Sequence, residues 1–416
     1  MKEIGYFELL KKNAKFRRFW AAAVISMMGE WFNTIALFTL ILKYSGSEAM
    51  LGLLFTIRML GFALLQPITG LLADRWSRKW IMVISNLVQV GLALCFLLVD
   101  GPEDMWWLLG LSGIMMILHG AYMTAERAAL PNIVEENELA TANALDAATW
   151  STALATGAFL GGLVVANYGV DVAFVIDSTT FLIGALILIP LRIPQEVSDD
   201  MRGPIFKTAY GNIKAGFVRL ISEPRLKRIV FAKTTWNLAG GGLAGVFLVI
   251  AGSRMSPGEM AAGIGLFFMA RGIGTGIGPI IARKYLVNKS RWPALVGILV
   301  SVSGFFYLLI GLTLFENLYL TLFLVVIAHA ASGANWVLST ILTQQWVEDE
   351  MRGRVFSIDM LLMAASFSIS TYTAGWLRDN TEMSLNLGII WFSCAMIGFG
   401  IIFTMWRPDQ HSINNT

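Results

Sequence analysis

Apolar residues fall in twelve blocks along the chain, at about 18–42, 49–73, 80–99, 105–125, 142–166, 172–191, 227–251, 258–282, 292–314, 317–341, 355–377 and 384–406. About 20 apolar residues suffice for an α-helix to cross a bilayer, whereas a barrel strand uses only about 10. Turn chemistry separates the blocks at Tyr44-Ser45-Gly46, Asp100-Gly101-Pro102, Asn167-Tyr168-Gly169 and Ser256-Pro257-Gly258. The pattern therefore predicts an all-α membrane protein with twelve transmembrane helices. Composition agrees: of 416 residues, 56% are hydrophobic and 14% charged, against about 25% charge in soluble domains. Mean hydropathy is +0.65. Disordered, collagen-like, disulfide-scaffold and soluble globular classes are excluded. Cys95 and Cys394 sit inside apolar blocks, so neither a structural disulfide nor a metal cluster is expected.

Charge sets the expected sidedness. With the N-terminus inside, the inner segments carry 25 Lys and Arg, and the outer loops carry Lys43, Arg254 and Arg378. A bias of this size places both termini in the cytoplasm and the chain in a cell inner (cytoplasmic) membrane. The basic tail (Lys2, Lys11, Lys12, Lys15, Arg17, Arg18) precedes an apolar block too long for a signal-peptide core, so that block reads as a retained helix. The net charge of +3 is spread over short loops, which points to no nucleic-acid partner. The longest polar stretch is central. Its linker opens Pro194-Gln195-Glu196-Val197-Ser198-Asp199-Asp200, and Ile205, Tyr210, Ile213, Phe217 and Leu220 then recur near helical spacing. That spacing predicts an amphipathic helix at about 205–222 lying on the inner membrane surface. The domain reading is a six-helix bundle at 1–191, a linker at 192–226 and a second bundle at 227–416.

The halves repeat at an offset near 212. Arg58 corresponds to Arg271, Pro67 to Pro279, and Arg78-Lys79-Trp80 to Ser290-Arg291-Trp292. Likewise Val134-Glu135-Glu136 corresponds to Val347-Glu348-Asp349, Asp146 to Asp359, and His119-Gly120-Ala121 to His329-Ala330-Ala331. Two pseudo-symmetric six-helix bundles suit alternating access, with the substrate site between the halves.

The stretch Gly70-Leu-Leu-Ala-Asp74-Arg75-Trp-Ser-Arg78-Lys79 resembles the G-x-L-x-D-R-x-G-R-[KR] loop of the major facilitator superfamily, with Ser77 in place of the second glycine. Leu130-Pro131, Glu138-Leu139, Ala142-Asn143-Ala144-Leu145 and Phe174-Val-Ile-Asp177 are similar to the branch holding macrolide-efflux proteins and the enterobactin exporter. The resemblance implies the major facilitator fold and a secondary exporter. Two features depart from the antiporter pattern. Gly157-Ala158-Phe159-Leu160-Gly161-Gly162 lacks the proline of the span-5 motif, and Ile114-Met115-Met116-Ile117 carries no span-4 arginine.

Ionisable residues inside a bilayer cost several kcal/mol and mark candidate sites. Glu30 lies about 12 residues into the first block, roughly 18 Å deep at 1.5 Å per residue, and Arg58 reaches a similar depth. Either they form a structural ion pair, or Glu30 is an exchangeable proton site tuned by Arg58. His119 and His329 lie on helices that line the central cavity in the superfamily; each is either a satisfied core histidine or a group titrating near neutrality. The proton-coupling candidates are thus Glu30, Arg58 and His119. Substrate-binding candidates are Glu30, Trp31, Asn33, Lys233, Trp236, Asn237, His329 and Trp336. Trp31, Trp150, Trp236 and Trp336 fall deep enough for an aromatic pocket. Gating candidates are Asp74, Arg75, Arg78 and Lys79, with Asp146 and Asp359 near helix starts. Asp74 has Leu286 at its counterpart, so the gate is asymmetric. Glu30 stands out as the carboxylate nearest mid-membrane, with Asp146, Asp177 and Asp359 nearer the block ends. Gly240-Gly241-Gly242 is expected to break block 7, and Gly272, Gly274, Gly276 and Gly278 to pack closely.

The leading functional reading is a monomeric secondary transporter that exports a hydrophobic or amphipathic small molecule, drug or siderophore-like, by proton antiport. Its partners are the solute, protons and membrane lipids, with no cofactor. A lipid or lysophospholipid carrier, or a solute or metal-ion transporter of the same fold, is the alternative. A membrane enzyme finds no support, since the chain has no H-E-x-x-H, nucleophile elbow or P-loop. A passive channel is distinguished by failure to accumulate solute.

Overall fold

The computed structural model describes residues 4–195, 205–255, 259–286 and 288–406. The turn expected at Ser256-Pro257-Gly258, the linker residues Glu196 to Asp200, and the basic residues Lys2 and Arg407 lie outside the described residues, as does the Ile205 side chain. All regular structure among the described residues is helical. Twelve helices are long and apolar enough to cross a membrane. Spans 1 to 6 are Ala14–Tyr44, Glu48–Arg75, Arg78–Leu98, Pro102–Asn132, Glu136–Tyr168 and Val170–Leu188. Spans 7 to 12 are Pro224–Met255, Met260–Tyr285, Lys289–Thr313, Leu318–Trp346, Asp349–Asn380 and Leu385–Met405.

Each span covers one apolar block, and the helices overrun the blocks where their ends are polar. Span 5 begins at Glu136 and span 11 at Asp349, upstream of the blocks at 142 and 355. Acidic residues fill both first turns, where they meet the positive end of the helix dipole. In span 5 the Glu138 carboxylate also accepts from the Glu135 N–H at 3.0 Å, closing a capping box. Span 2 is two helices, Glu48–Leu64 and Gln66–Arg75, with Pro67 in the first turn of the second; proline has no N–H to continue the ladder. In span 7, Gly240–Gly242 stay helical and the irregularity follows them as a π-helix, Leu243–Phe247.

Contacts divide the chain into two units. The first comprises residues 1–46, 57–209 and 252–269; the second comprises 47–56, 210–251 and 270–416. In the first, span 1 packs against spans 5 and 6, and span 3 against spans 4 and 6. Close approach is made by small residues: a Cβ on Gly161 would lie 2.9 Å from Phe32 Cα, and one on Gly162 would lie 2.6 Å from the Ala261 carbonyl. In the second unit, span 7 packs against span 11 and span 9 against spans 10 and 12. There Asp379 accepts from the Glu48 and Ala49 N–H groups at 2.9 Å each, capping the start of span 2 from the end of span 11. Arg378 grips Glu48 with two hydrogen bonds of 2.8 and 3.1 Å.

A helix spans Ile205–Ser222. Its apolar residues form two faces rather than one stripe. Leu220 is buried, and Ile213 packs beside it against Leu226, Val230, Val347 and Val355. Tyr210 and Phe217 remain exposed. Arg219 donates to both Glu348 oxygens at 2.9 Å, fastening the helix to the turn before span 11. That pairing raises Arg219 above its ordinary pKa and holds the Glu348 carboxyl below the usual carboxylate range.

Candidate functional site

The first unit gathers its membrane-embedded polar residues around Glu30. Arg58 of span 2 approaches the carboxylate at 3.4 Å. The same guanidinium donates to Thr34 Oγ1 at 3.0 Å and to Ser112 Oγ of span 4 at 3.2 Å. His119 Nδ1, also from span 4, lies 3.1 Å from the other Glu30 oxygen. The expected equal depth of Glu30 and Arg58 is thus realised as contact, and His119 joins them. Arg58 donates to the carboxylate, and His119 can do so when Nδ1 carries a hydrogen.

One turn beyond Glu30, the buried Asn33 donates to Asp177 Oδ2 at 2.9 Å. Asp177 is 0% exposed and is the eighth of nineteen residues in its helix. It therefore sits near the middle of span 6, not towards an end. Glu126 is a second carboxylate that depth along the chain did not single out. Span 4 continues to Asn132, well past the block end at 125, and so carries Glu126 inside. A small cavity lined by Ser26, Asn86, Gln89, His119, Tyr122 and Glu126 has about 10 Å³ open to a water-sized sphere, room for about one water.

The second unit solves the same problem differently. Lys233 of span 7 pairs with Asp359 of span 11, both nearly inaccessible. Asp359 thus lies deep in span 11, beside a candidate substrate residue. Its helix starts at Asp349, which places residue 359 three turns in. The Lys233 ammonium also lies 5.4 Å from the Trp336 ring centroid, within cation–π range. Asn237 bonds back to the Lys233 carbonyl at 3.0 Å, and Trp236 reaches Ser303 Oγ at 3.4 Å. Arg271, the repeat partner of Arg58, donates to the Ala244 carbonyl at 2.9 Å within the π-helix. His329 is 1% exposed and shares a 2.7 Å hydrogen bond with Tyr307.

Trp31 packs beside Phe268 at 5.9 Å between centroids, while Trp150 and Trp336 are exposed.

The turn between spans 2 and 3 is pinned from several directions. Arg78 donates to the Ala128 carbonyl and Asn132 Oδ1 at 2.8 Å each, and to the Ala73 carbonyl at 3.2 Å. It faces Asp74 at 3.6 Å. Gln195 also clamps this turn: its amide donates to the Ala73 and Trp76 carbonyls, and its oxygen accepts from the Arg78 N–H at 2.9 Å. Arg75 is half-buried, and Lys79 lies over the Trp80 ring. Asp146 is half-buried on span 5, within electrostatic reach of Arg127 and Glu126. Among the described residues, Asp100, Glu103 and Asp104 could bring three ligand atoms together for a metal. Asp104 already caps the Asp100 and Gly101 N–H groups there.

The family model described as Major Facilitator Superfamily matches residues 19–251. The uncharacterized MFS-type transporter YfiS of Bacillus subtilis (strain 168) is 25% identical over 408 residues, covering 94% of this chain and 93% of that protein. A protein of the same organism assigned provisionally as the bacilysin exporter BacE is 24% identical over 387 residues, covering 92% of each. Among solved structures, a bacterial homolog of the human lysosomal transporter Spinster, inward-facing and unoccupied, aligns with a TM-score of 0.70 at 17% identity. The alignment covers 94% of this chain and 95% of that one.

Proposed function

The chain belongs to the Major Facilitator Superfamily and is a multi-pass membrane transporter, and from that premise we propose that it exports a hydrophobic or amphipathic small molecule by proton antiport. The observation that carries the proposal is the Glu30 carboxylate held between Arg58 and His119 inside the membrane-spanning region. An ionisable group at that depth is expensive unless it works or is neutralised. Pairing with Arg58 favours the ionised state; separation leaves a desolvated carboxylate that takes up a proton. Transport by alternating access supplies that separation, since helices 1, 2 and 4 need shift only a few ångströms to open a 3.4 Å contact. The similarity to a provisional bacilysin exporter supports outward movement of the solute.

Six-helix bundles at 1–191 and 227–416 would be the moving bodies, with both termini cytoplasmic and the protein working as a monomer in a cell inner membrane. Asp74, Arg75, Arg78 and Lys79 then form the inner gate, with Asp146 nearby; the hydrogen bonds that pin Arg78 support that role. Asn33, Lys233, Trp236 and Trp336 remain the proposed substrate contacts.

The test uses purified protein in liposomes and a panel of permanently charged and neutral amphipathic dyes led by ethidium. Vesicles with an acidic lumen should accumulate at least one dye above protein-free controls, and collapse of the pH gradient should abolish this while leaving dye exchange intact. If dyes exchange freely and none ever accumulates, the protein is a passive conduit and the antiport reading fails.

A further inference from the structure

Asp177 is the most secluded carboxylate of the first unit. It is 0% exposed, and its single hydrogen bond comes from a neutral amide, Asn33 Nδ2, to Oδ2. Its other oxygen, Oδ1, is buried with no hydrogen-bond partner, and so is Asn33 Oδ1. No Lys, Arg or His among the described residues forms an ion pair with it. The helices packed on span 6 are spans 1, 3 and 5. Span 3 has no charged residue between Lys79 and Asp100, and span 5 none between Asp146 and Asp171. The charged groups that act on Asp177 are Glu30 on span 1 and Arg58 on span 2. Arg58 is already committed to Glu30, Thr34 and Ser112. Glu30 has the guanidinium and His119; Asp177 has one amide. Gly29 brings the span 1 backbone close, where a Cβ would lie 3.0 Å from Asp177 Oδ1, and the neighbouring Thr180 hydroxyl is spent on the Asp177 backbone carbonyl.

Charge balance leads to the same residue. Arg58 and His119 both lie against Glu30 and neither pairs with Asp177, so the Asp177 carboxylate has no cation of its own. An ionised group left without a partner in a buried site takes up a proton instead. We infer that Asp177 is a proton-binding site in its own right, carrying that proton while Glu30 stays ionised against Arg58 and His119. The proton is held on the orphan oxygen, with Asn33 steadying the carbonyl oxygen. Asp177 acts on the coupling group without touching solute, as a second member of one titrating set. The inference rests on the antiport reading for its role in transport, not for its existence.

The experiment reads resting protein, with no solute and no gradient, and is therefore independent of whether export is proton-driven. Infrared spectra of the full chain in lipid at neutral pH are compared with and without carboxyl-13C aspartate. A protonated-acid C=O band should shift on labelling, persist in Glu30→Gln, and be absent from the spectrum of Asp177→Asn, leaving a positive band in the wild-type-minus-variant difference. If Asp177→Asn fails to fold, Asn33→Leu serves: losing the amide donor should move the labelled band to higher frequency. The proposal is overturned if no acid band responds to aspartate labelling. It is overturned equally if the band vanishes in Glu30→Gln, or does not move in Asn33→Leu.

Discussion

The two units each hold an arginine at the same place in the repeat, and the two arginines meet different acceptors. Arg58 faces Glu30, with His119 on the far side of the carboxylate. Arg271 faces the Ala244 carbonyl in a π-helix, with His329 occupied by Tyr307 nearby. A carboxylate can take a proton; a backbone carbonyl at physiological pH cannot. The carboxylates differ as well. In the second unit Asp359 is matched one-to-one by Lys233, whereas in the first Arg58 and His119 both meet Glu30 and Asp177 has only the Asn33 amide. Repeat symmetry therefore conserved the position of the cation but not its titratable partner. On the proposed antiport reading, the difference places proton exchange in the first unit and leaves the second a fixed electrostatic structure.

The largest effect should come from breaking the matched pair. Lys233→Met alone leaves Asp359 buried and uncompensated, a loss of about 3–5 kcal/mol for a pair so deep. The double variant Lys233→Met/Asp359→Leu should regain most of that stability, because two apolar side chains replace two desolvated charges. Thermal unfolding in detergent, followed by intrinsic tryptophan fluorescence, measures both. A double variant as unstable as the single would mean the pair does more than neutralise itself.

Next in size is the contrast between the arginines. Arg58→Gln should abolish gradient-driven accumulation and lower stability by about 1–3 kcal/mol, as expected for a charged group leaving its hydrogen-bonded partners. Arg271→Gln keeps a donor for the Ala244 carbonyl and should retain at least half the wild-type coupling. Equal loss of coupling in the two variants would erase the distinction between the units.

Asp74→Asn should slow transport by about tenfold, equivalent to about 1.4 kcal/mol, with expression and dye binding preserved. The measurement is initial dye flux at saturating gradient. Normal flux would remove Asp74 from the gate.

How much of this was legible in the chain follows from what a sequence records. Apolar block length and charge asymmetry report depth, and depth located all twelve spans and matched Glu30 with Arg58. Depth says nothing about rotation around a helix axis. Asp177 faces Asn33 across 144 residues of sequence, and Lys233 faces Asp359 across 126; neither pairing leaves a local pattern. Hydropathy also stops where polar helical turns begin, which hid Glu126 and made Asp359 look peripheral. The helix Ile205–Ser222 was legible as amphipathic, but its two faces were not, because one docks beside span 11 and the other stays open. Gln195 gave no signal: a lone glutamine in a polar linker shows its clamp only once the turn at Ala73 to Arg78 is folded beside it.

The smallest effect concerns the fastening of that helix and bears only on the second unit. Glu348 has a folded-state pKa below its ordinary value of 4.5, so its contribution is present above pH 4.5 and lost as pH falls through the depressed folded value. The carboxylate is exposed, so the pair is worth a few tenths of a kcal/mol. Glu348→Gln should accordingly weaken protection of Ile205–Ser222 in hydrogen exchange at pH 7, and the difference should vanish once the pH falls below the depressed folded value. An unaltered profile at pH 7 would show that apolar packing at Leu220 alone holds the helix.

The central claim is that the exchangeable proton belongs to the first unit, at Glu30. Its most direct test compares Glu30→Gln with His329→Gln in liposomes, measuring dye accumulation against an imposed pH gradient beside dye exchange without one. Glu30→Gln should retain exchange and lose accumulation, with insensitivity to external pH between 6 and 8. His329→Gln should retain both within about threefold. If Glu30→Gln still concentrates dye as the wild type does, or if His329→Gln alone uncouples the protein, proton coupling does not reside at Glu30.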